Sequence, residues 1–311
     1  MKIYILDALH PAGVEFASQR ADVIRWDDPC VKNWHEDAEG IMVRGSRLTA
    51  DDFAQAKKLK VVSKQGVGVN TIDLDAARAR GVKVCNTPGV NKEAVAEMAV
   101  GLALSVGRRI AEFDRMIRAG VPFDRADFLG QELWNKTVGV IGMGNTGTQV
   151  ARLYRAAFNA NILAYDPYVP ANHWPDITHD RVASLDAIWP RVDVLTMHVP
   201  YTDETRGMVA RHGLALMKAS AIVVNASRGG VVDEAALYDA LKAGRLYGAG
   251  IDVWEEVEPP RRDHPLLSLS NVVATPHAAG GSRETQERSS LLVAQQLLNV
   301  LSGGEPINRV A

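Results

Sequence analysis

Three glycines at fixed spacing, followed by an acidic residue, are well suited to bind a phosphate-containing ligand. Gly142, Gly144 and Gly147 follow the apolar run 138–141, and Asp166 ends a second apolar run 19 residues after the last glycine. The first glycine permits a tight turn, the second lets a pyrophosphate approach the backbone, and the third allows close helix packing. Unpaired N–H groups at the start of the following helix attract the phosphates. The stretch therefore predicts a dinucleotide-binding unit.

Asp166 indicates which dinucleotide this unit would bind. A carboxylate here accepts hydrogen bonds from a ribose diol and repels a 2′-phosphate, and Pro167 rather than an arginine follows it. The sequence therefore predicts NAD instead of NADP. Two alternatives stay open at this point: a plain strand–helix turn without ligand, and a site for an adenosyl-methionine ligand.

Residues after apolar runs in the second half of the sequence could bind an anion and transfer a proton. Arg228, before two glycines, could grip a carboxylate through two N–H bonds, or it could cap a helix beside Asp233 or Glu234. Glu258 precedes two prolines that restrict its backbone. His277 lies among small residues and could protonate a carbonyl oxygen as hydride arrives, with a carboxylate orienting its ring. We expect these residues to meet, because open parallel sheets bind ligands beyond the carboxyl ends of their strands.

Further polar residues follow other predicted strands. His198 is the competing histidine, and we expect it to line the edge of the cofactor. The glycine turn 65–70 is a second candidate for binding a small anion, or a simple turn. Arg44 and Lys64 each end a strand and could add positive charge to that turn, or could be ordinary solvated cations.

The elements that must position these residues alternate between short apolar runs and helical patterns, which indicates parallel sheets flanked by helices. A long apolar helical pattern spans about 91–119, and a final amphipathic one spans 284–301. We predict an α/β fold with two doubly wound parallel-sheet domains. Residues 1–98 plus 283–311 form a flavodoxin-like substrate-binding domain, and residues 99–282 form an inserted Rossmann domain that binds NAD.

Composition limits the possible partners. With 311 residues, two domains are the default, and a net charge of −2 argues against nucleic acid as the main partner. The two cysteines, Cys30 and Cys85, show no metal-binding or disulfide spacing, which favours a reducing cytoplasm. The N-terminal apolar run is too short for a signal peptide, and no apolar stretch is long enough to cross a bilayer. We therefore expect no metal and no membrane partner.

Seven motifs together resemble the D-isomer-specific 2-hydroxyacid dehydrogenase family, which includes 3-phosphoglycerate dehydrogenases and hydroxypyruvate or glyoxylate reductases. They are KQGVGVNTID, NTPGVNKEAVAEMAVGLAL, VGVIGMGNTG, HVPYTDETRG, LMKASAIVVNASRGGVVDE, AGIDVWEEVEPP and ATPHAAGG. The resemblance covers nearly the whole chain. It implies hydride transfer between nicotinamide C4 and C2 of a small 2-hydroxy or 2-keto acid of the 3-phosphoglycerate, hydroxypyruvate or glyoxylate type, in a cleft between the two domains.

The resemblance also implies roles for individual residues. Arg228 would hold the substrate, His277 would be the general acid and base, and Glu258 would support His277. Substrate contacts fall on Val67 and Gly68, and the contact to the nicotinamide amide falls on Asp252. Further cofactor contacts are predicted at Asn145, Thr146, Pro167, Val199, Pro200, Thr205, Ala226, Ser227 and Gly280, and at Arg228 and His277 themselves.

Two departures from the family pattern leave choices open. The segment after Asp252 is one residue longer than usual, so Glu256 rivals Glu258, which we prefer because it directly precedes proline. The turn reads GVGVNT where an aspartate is commoner, which leaves the substrate undefined. The resemblance and the apolar long helix imply a homodimer, and the sequence ends without the regulatory extension of some relatives. The alternatives are a non-catalytic NAD(H)-sensing protein and a phosphite-type dehydrogenase.

Overall fold

The computed structural model describes residues 1–170 and 172–311, which form two compact units. The first unit comprises Met1–Asn91 and Gly281–Ala311, and the second comprises Lys92–Gly280. Within the described part of the chain, no helix combines the length and the apolar character needed to cross a membrane. The same residues contain no cluster of three His, Cys, Asp or Glu side chains placed to hold a metal.

The first unit is built on a five-stranded parallel sheet. Its strands are β1 (Lys2–Ile5), β2 (Asp22–Ile24), β3 (Gly40–Val43), β4 (Val61–Lys64) and β5 (Lys83–Cys85). Its helices are α1 (Pro11–Ser18), α2 (Trp34–Asp37), α3 (Ala50–Gln55), α4 (Leu74–Ala79) and the last helix of the chain, α10 (Arg283–Leu301). The strand order β2-β1-β3-β4-β5 is that of flavodoxin-like folds. The final helix packs directly on the first one, because an added Cβ at Gly13 would lie 2.1 Å from Ser290 Oγ.

The second unit is built on a seven-stranded sheet in which all neighbouring strands are parallel. Its strands are β6 (Thr137–Ile141), β7 (Asn161–Tyr165), β8 (Asp180–Arg181), β9 (Val194–Met197), β10 (Ile222–Asn225), β11 (Gly248–Ile251) and β12 (Val272–Ala274). Its helices are α5 (Lys92–Gly107), α6 (Ile110–Arg118), α7 (Asn145–Phe158), α8 (Arg211–Leu216) and α9 (Glu234–Lys242). The order β12-β11-β10-β9-β6-β7-β8 reverses direction at β6, as in Rossmann folds. The predicted fold class is confirmed.

The long helical pattern predicted from about 91 to 119 is two helices, so this prediction is wrong in detail. Gly107 ends α5, and Arg109 takes a left-handed conformation with φ 55° before α6 begins. Gly107 is enclosed, because an added Cβ would lie 3.3 Å from the carbonyl oxygen of Gln131. Glycine also has a low helix propensity, which favours the break there. The predicted domain boundary at 98/99 falls inside α5.

Candidate active site

The residues predicted to bind the cofactor lie along one edge of the second sheet. They follow the carboxyl ends of β6, β7, β9, β10, β11 and β12, which are six neighbouring parallel strands in the order β12-β11-β10-β9-β6-β7. They are Gly142, Gly144, Asn145, Thr146 and Gly147 after β6, Asp166 and Pro167 after β7, His198, Val199, Pro200 and Thr205 after β9, Ala226, Ser227 and Arg228 after β10, Asp252 after β11, and His277 and Gly280 after β12. One continuous edge therefore carries all of them.

The three glycines of the β6–α7 turn have different surroundings. Gly142 has φ 83°, and an added Cβ would lie 2.7 Å from the carbonyl oxygen of His198. An added Cβ at Gly147 would lie 1.9 Å from the carbonyl oxygen of Gly142, so strand and helix touch there. At Gly144 an added Cβ would meet no described atom within 4 Å, and no described side chain caps the start of α7. The open turn and the unpaired N–H groups fit a pyrophosphate.

Asp166 is buried and also shapes the loop that it begins. Its Oδ2 accepts a hydrogen bond from the Met143 N–H (2.9 Å), and its Oδ1 accepts from the N–H groups of Tyr168 (3.0 Å) and Val169 (3.2 Å). Arg181 donates to the carbonyl oxygen of Asp166 at 2.5 Å. A carboxylate has about four lone-pair positions, so acceptor capacity for a ribose diol remains. The predicted ribose contact is compatible with this geometry.

His198 and Thr205 hold the turn that follows β9. Burial lowers the pKa of His198 to about 3, so its ring is neutral. Its Nε2 lies 2.9 Å from the Thr196 hydroxyl, and its Nδ1 is buried with no partner among the described residues. The Thr205 hydroxyl donates to the carbonyl oxygen of Pro200 at 2.6 Å. A neutral histidine at this position is unsuited to donate a proton, which leaves His277 as the candidate for that role.

The loop that carries Arg228 is fixed by a side chain from the end of β10. Asn225 Oδ1 accepts hydrogen bonds from the backbone N–H and the hydroxyl of Ser227, and its Nδ2 donates to the carbonyl oxygen of Arg228 at 3.0 Å. Asp233 instead caps α9, and Glu234 binds the N–H of Glu255 and His264. These carboxylates therefore have partners other than Arg228. The Arg228 guanidinium, whose Nη1 donates to the Ser227 carbonyl at 2.6 Å, has further donors for an anion.

His277 and Glu258 form a hydrogen-bonded pair. His277 Nδ1 contacts Glu258 Oε2, the side chain of His277 is 43% exposed, and the residue has a left-handed backbone with φ 57°. Glu258 Oε1 accepts from the Trp254 N–H at 3.0 Å, and the peptide bond from Glu258 to Pro259 is cis. Glu256 instead lines a neighbouring surface cavity. A carboxylate on Nδ1 fixes the orientation of the ring, which leaves Nε2 to exchange a proton.

Asp252 is fully buried and organises the turn before α10. Its Oδ1 accepts from the Thr275 hydroxyl (2.5 Å) and the Ala278 N–H (2.9 Å), and its Oδ2 accepts from the Ala279 N–H (3.0 Å). The His277 N–H donates to the Asp252 carbonyl oxygen at 2.7 Å. Asp252 thus places His277, and its predicted contact to the nicotinamide amide stays a prediction.

The substrate residues predicted in the first unit lie at the ends of β3 and β4: Arg44 follows β3, Lys64 is the last residue of β4, and Val67 and Gly68 follow β4. Val67 is 42% exposed, and Gly68 has no described atom within 4 Å of an added Cβ. Arg44 is exposed, and its backbone N–H donates to Asp7 Oδ2 at 2.6 Å. Lys64 is buried, so it is no solvated surface cation. Its ammonium donates to the Arg44 carbonyl at 2.6 Å, and burial lowers its pKa.

Sequence reasoning missed residues that act through distant backbone contacts. Arg181 reaches the Asp166 loop, Trp254 donates its N–H to Glu258, and Asp7 accepts three N–H bonds from residues 44–46. No local pattern marks Arg181 or Asp7, because their partners lie 15 and 37 to 39 positions away in sequence. Trp254 uses its backbone N–H, which its residue type does not mark. Asp7, two residues after the end of β1, is the one signal that could have indicated a loop-holding role.

Comparison with known proteins identifies the family of this chain. The family model described as the D-isomer specific 2-hydroxyacid dehydrogenase, NAD binding domain, matches residues 100–279. A hydroxypyruvate reductase from Thermotoga maritima is 40% identical over 265 residues, covering 84% of this chain and 84% of that protein. The crystal structure of the TT0316 protein from Thermus thermophilus matches with a TM-score of 0.88 and 34% identity, covering each chain completely.

A D-3-phosphoglycerate dehydrogenase from Methanocaldococcus jannaschii is 40% identical over 307 residues, which are 97% of this chain and 58% of that protein. The chain thus spans little more than half the length of this relative. The matched range, 100–279, spans the positions of the glycine turn, Asp166, Arg228, Glu258 and His277. The chain belongs to the D-isomer-specific 2-hydroxyacid dehydrogenase family, and its second unit is the NAD-binding domain of that family.

Proposed function

We propose that this protein is an NAD-dependent dehydrogenase that transfers a hydride between nicotinamide C4 and C2 of a small 2-hydroxy or 2-keto acid. The observation that carries the proposal is the His277–Glu258 pair, which lies on the same sheet edge as Arg228 and the open turn at Gly144. The names of the relatives support substrates of the 3-phosphoglycerate, hydroxypyruvate or glyoxylate type.

The proposed roles follow from the chemistry of each side chain. NAD(H), when bound, supplies or accepts the hydride. The Arg228 guanidinium grips the substrate carboxylate and polarises the neighbouring carbonyl. His277 Nε2 gives a proton to the carbonyl oxygen during reduction and removes it during oxidation, while Glu258 holds Nδ1. Asp166 binds the ribose diol, which favours NAD over NADP.

The proposal also assigns substrate contacts in the first unit. The exposed turn at Val67 and Gly68 offers backbone N–H groups to a carboxylate, as in other anion-binding turns. Arg44 is exposed and could meet a second anionic group. Lys64 supports the turn by binding the Arg44 and Gln65 carbonyl oxygens, and it adds positive charge beneath it.

We further propose a homodimer in a reducing cytoplasm. Large apolar side chains are exposed in and after α6, including Ile110 (56%), Ile117 (67%) and Leu129 (74%), which a second subunit would cover. Both cysteines are free thiols, one exposed and one buried, which suits a reducing compartment. Light scattering coupled to gel filtration measures the mass, and a monomer at micromolar concentration would contradict the dimer.

The test of the activity is NADH oxidation with hydroxypyruvate, glyoxylate, pyruvate and 3-phosphohydroxypyruvate. We expect turnover with at least one of these acids, and weaker activity with NADPH. His277→Asn should lower kcat by about a thousandfold, because it removes the proton donor. NADH binding, followed by fluorescence, should persist in this variant. A fully active His277→Asn protein would refute the assigned chemistry.

A further inference from the structure

A second histidine–carboxylate pair lies beside the proposed proton-transfer pair, and the proposed chemistry does not use it. Glu234, the first residue of α9, places Oε2 3.0 Å from His264 Nε2. The two side chains are only 12% and 19% exposed. Burial raises the pKa of Glu234, yet this carboxylate has no contact with any residue assigned to proton transfer. Desolvating an ionisable pair that is this little exposed costs free energy, so we expect the pair to have a structural or functional role.

The other oxygen of Glu234 reaches the loop that carries Glu258. Glu234 Oε1 accepts a hydrogen bond from the Glu255 N–H at 2.9 Å. The preceding backbone N–H, that of Trp254, donates to Glu258 Oε1 at 3.0 Å. Two successive backbone N–H groups are therefore bound by two different glutamates. Glu234 binds the N–H of Glu255, and Glu258, which pairs with His277, binds the N–H of Trp254.

Trp254 extends the same connection to the turn that carries His277. Its indole N–H donates to the Thr275 carbonyl oxygen at 3.0 Å, and its ring meets the His264 ring edge-on at 5.1 Å. Gly229, which follows Arg228, packs on this loop so closely that an added Cβ would lie 1.9 Å from the Trp254 carbonyl oxygen. The loop thus touches the segments that carry Arg228, Glu258 and His277.

We propose that Glu234, locked by His264, is a positioning residue: it clamps the Trp254–Glu255 peptide and so holds Glu258 against His277. The inference rests on the proposed dehydrogenase chemistry and deepens it. Glu234 acts through the loop and never on the substrate. Substituting Glu234 should therefore lower kcat only when Glu258 is present, since a misplaced Glu258 no longer orients the imidazole of His277.

The charged groups around this pair set the controls. Asp239, Glu255, Glu256, Arg261 and Asp263 line the same surface cavity of about 550 Å³. Asp239 lies on the same helix and pairs with Arg211 at the surface, with 49% of its side chain exposed. Asp239→Asn therefore removes a nearby charge of the same sign without touching the loop, and it should leave kcat unchanged.

The experiment is a double-mutant cycle with Glu258→Gln in the full-length protein. We expect Glu234→Ala to lower kcat about tenfold while the KM for NADH changes less than about twofold. Glu234→Gln, which keeps the acceptor for the Glu255 N–H, should stay within about threefold of the wild type. In the Glu258→Gln background, Glu234→Ala should cost less than about twofold more.

An unchanged kcat in Glu234→Ala, or the same fold loss with and without Glu258, would overturn the proposal. If Glu234→Ala does not fold, Glu234→Asp, which withdraws the carboxylate by one methylene, is measured in the same cycle. A wild type that oxidises no NADH with any keto acid defeats the proposed function instead. Amide hydrogen exchange at 254–258 then tests the clamp alone: faster exchange in Glu234→Ala supports it, and unchanged exchange overturns it.

Discussion

At the scale of single residues, the carboxylates of the site have different roles, and the role of each depends on how exposed its side chain is. Asp252 is fully buried and satisfies a hydroxyl and two N–H groups, so its work is to shape the backbone. The side chain of Glu258 is 32% exposed and offers one oxygen to His277. A buried carboxylate that accepts several hydrogen bonds, such as Asp252, organises the backbone. The partly exposed carboxylate of Glu258 can balance the positive charge that an imidazole carries during proton transfer.

Glu258→Gln separates these roles from a general effect of charge. The amide keeps the shape but cannot neutralise a protonated imidazole, so we expect kcat to fall about tenfold to a hundredfold. The matched control is Glu256→Gln, which removes the same charge two residues away, where the side chain lines a cavity. Steady-state NADH oxidation measures both. Equal losses in the two variants would contradict the pairing with His277.

At the scale of elements, the strand–turn–helix unit around β6 and α7 gives its glycines separate tasks. Gly144→Ala should lower the free energy of unfolding by no more than about 1 kcal/mol, the cost of alanine at the N-cap position, because the space around this residue is open. The added methyl group occupies the place where a pyrophosphate would approach, so the Kd for NADH should rise at least about tenfold. Equilibrium binding of NADH and urea unfolding measure the two effects.

Gly147→Ala is the contrasting variant in the same unit. Its methyl group would meet the Gly142 carbonyl at 1.9 Å, so the strand and helix must separate. Overpacking of this kind costs about 1–3 kcal/mol, and we expect that loss in the free energy of unfolding even without NADH. Equal stability of the two alanine variants would contradict the assigned close contact.

The same unit shows what the sequence could predict. Glycine spacing, apolar runs and an acid at a strand end are local features, so they indicated the β6–α7–β7 unit and the edge on which the site lies. The break after Gly107 was missed, because the apolar helical pattern continues across it and the left-handed conformation of Arg109 has no marker in the sequence. The strand β8 was missed for a different reason: it is only two residues long, which is too short to show an alternating pattern.

At the scale of the whole molecule, the organising residues were the least predictable ones. Arg181 holds carbonyl oxygens of the Asp166 loop, and Glu234 reaches a loop that lies 21 residues further along the chain. Such contacts depend on the order of strands in the sheet, which sequence periodicity does not encode. Candidates for binding and catalysis could therefore be named from motifs, whereas the residues that position them required the fold.

The stability of the ligand-free protein should depend on pH through His198. Burial lowers its folded-state pKa from 6.5 to about 3, so the unfolded chain binds the extra proton first. The stabilising contribution is complete above pH 6.5 and is lost as the pH falls towards 3. Between pH 7.5 and 5.5, His198 should remove roughly 1 kcal/mol from the free energy of unfolding. His198→Gln should abolish this pH-dependent loss, whereas His212→Gln, at a side chain that is 72% exposed, should retain it.

Urea unfolding of the wild type and both variants at pH 7.5 and 5.5 measures the loss in each protein, even where the two units unfold separately. An identical pH dependence in wild type and His198→Gln would show that the neutral, buried state of this ring is incorrectly assigned.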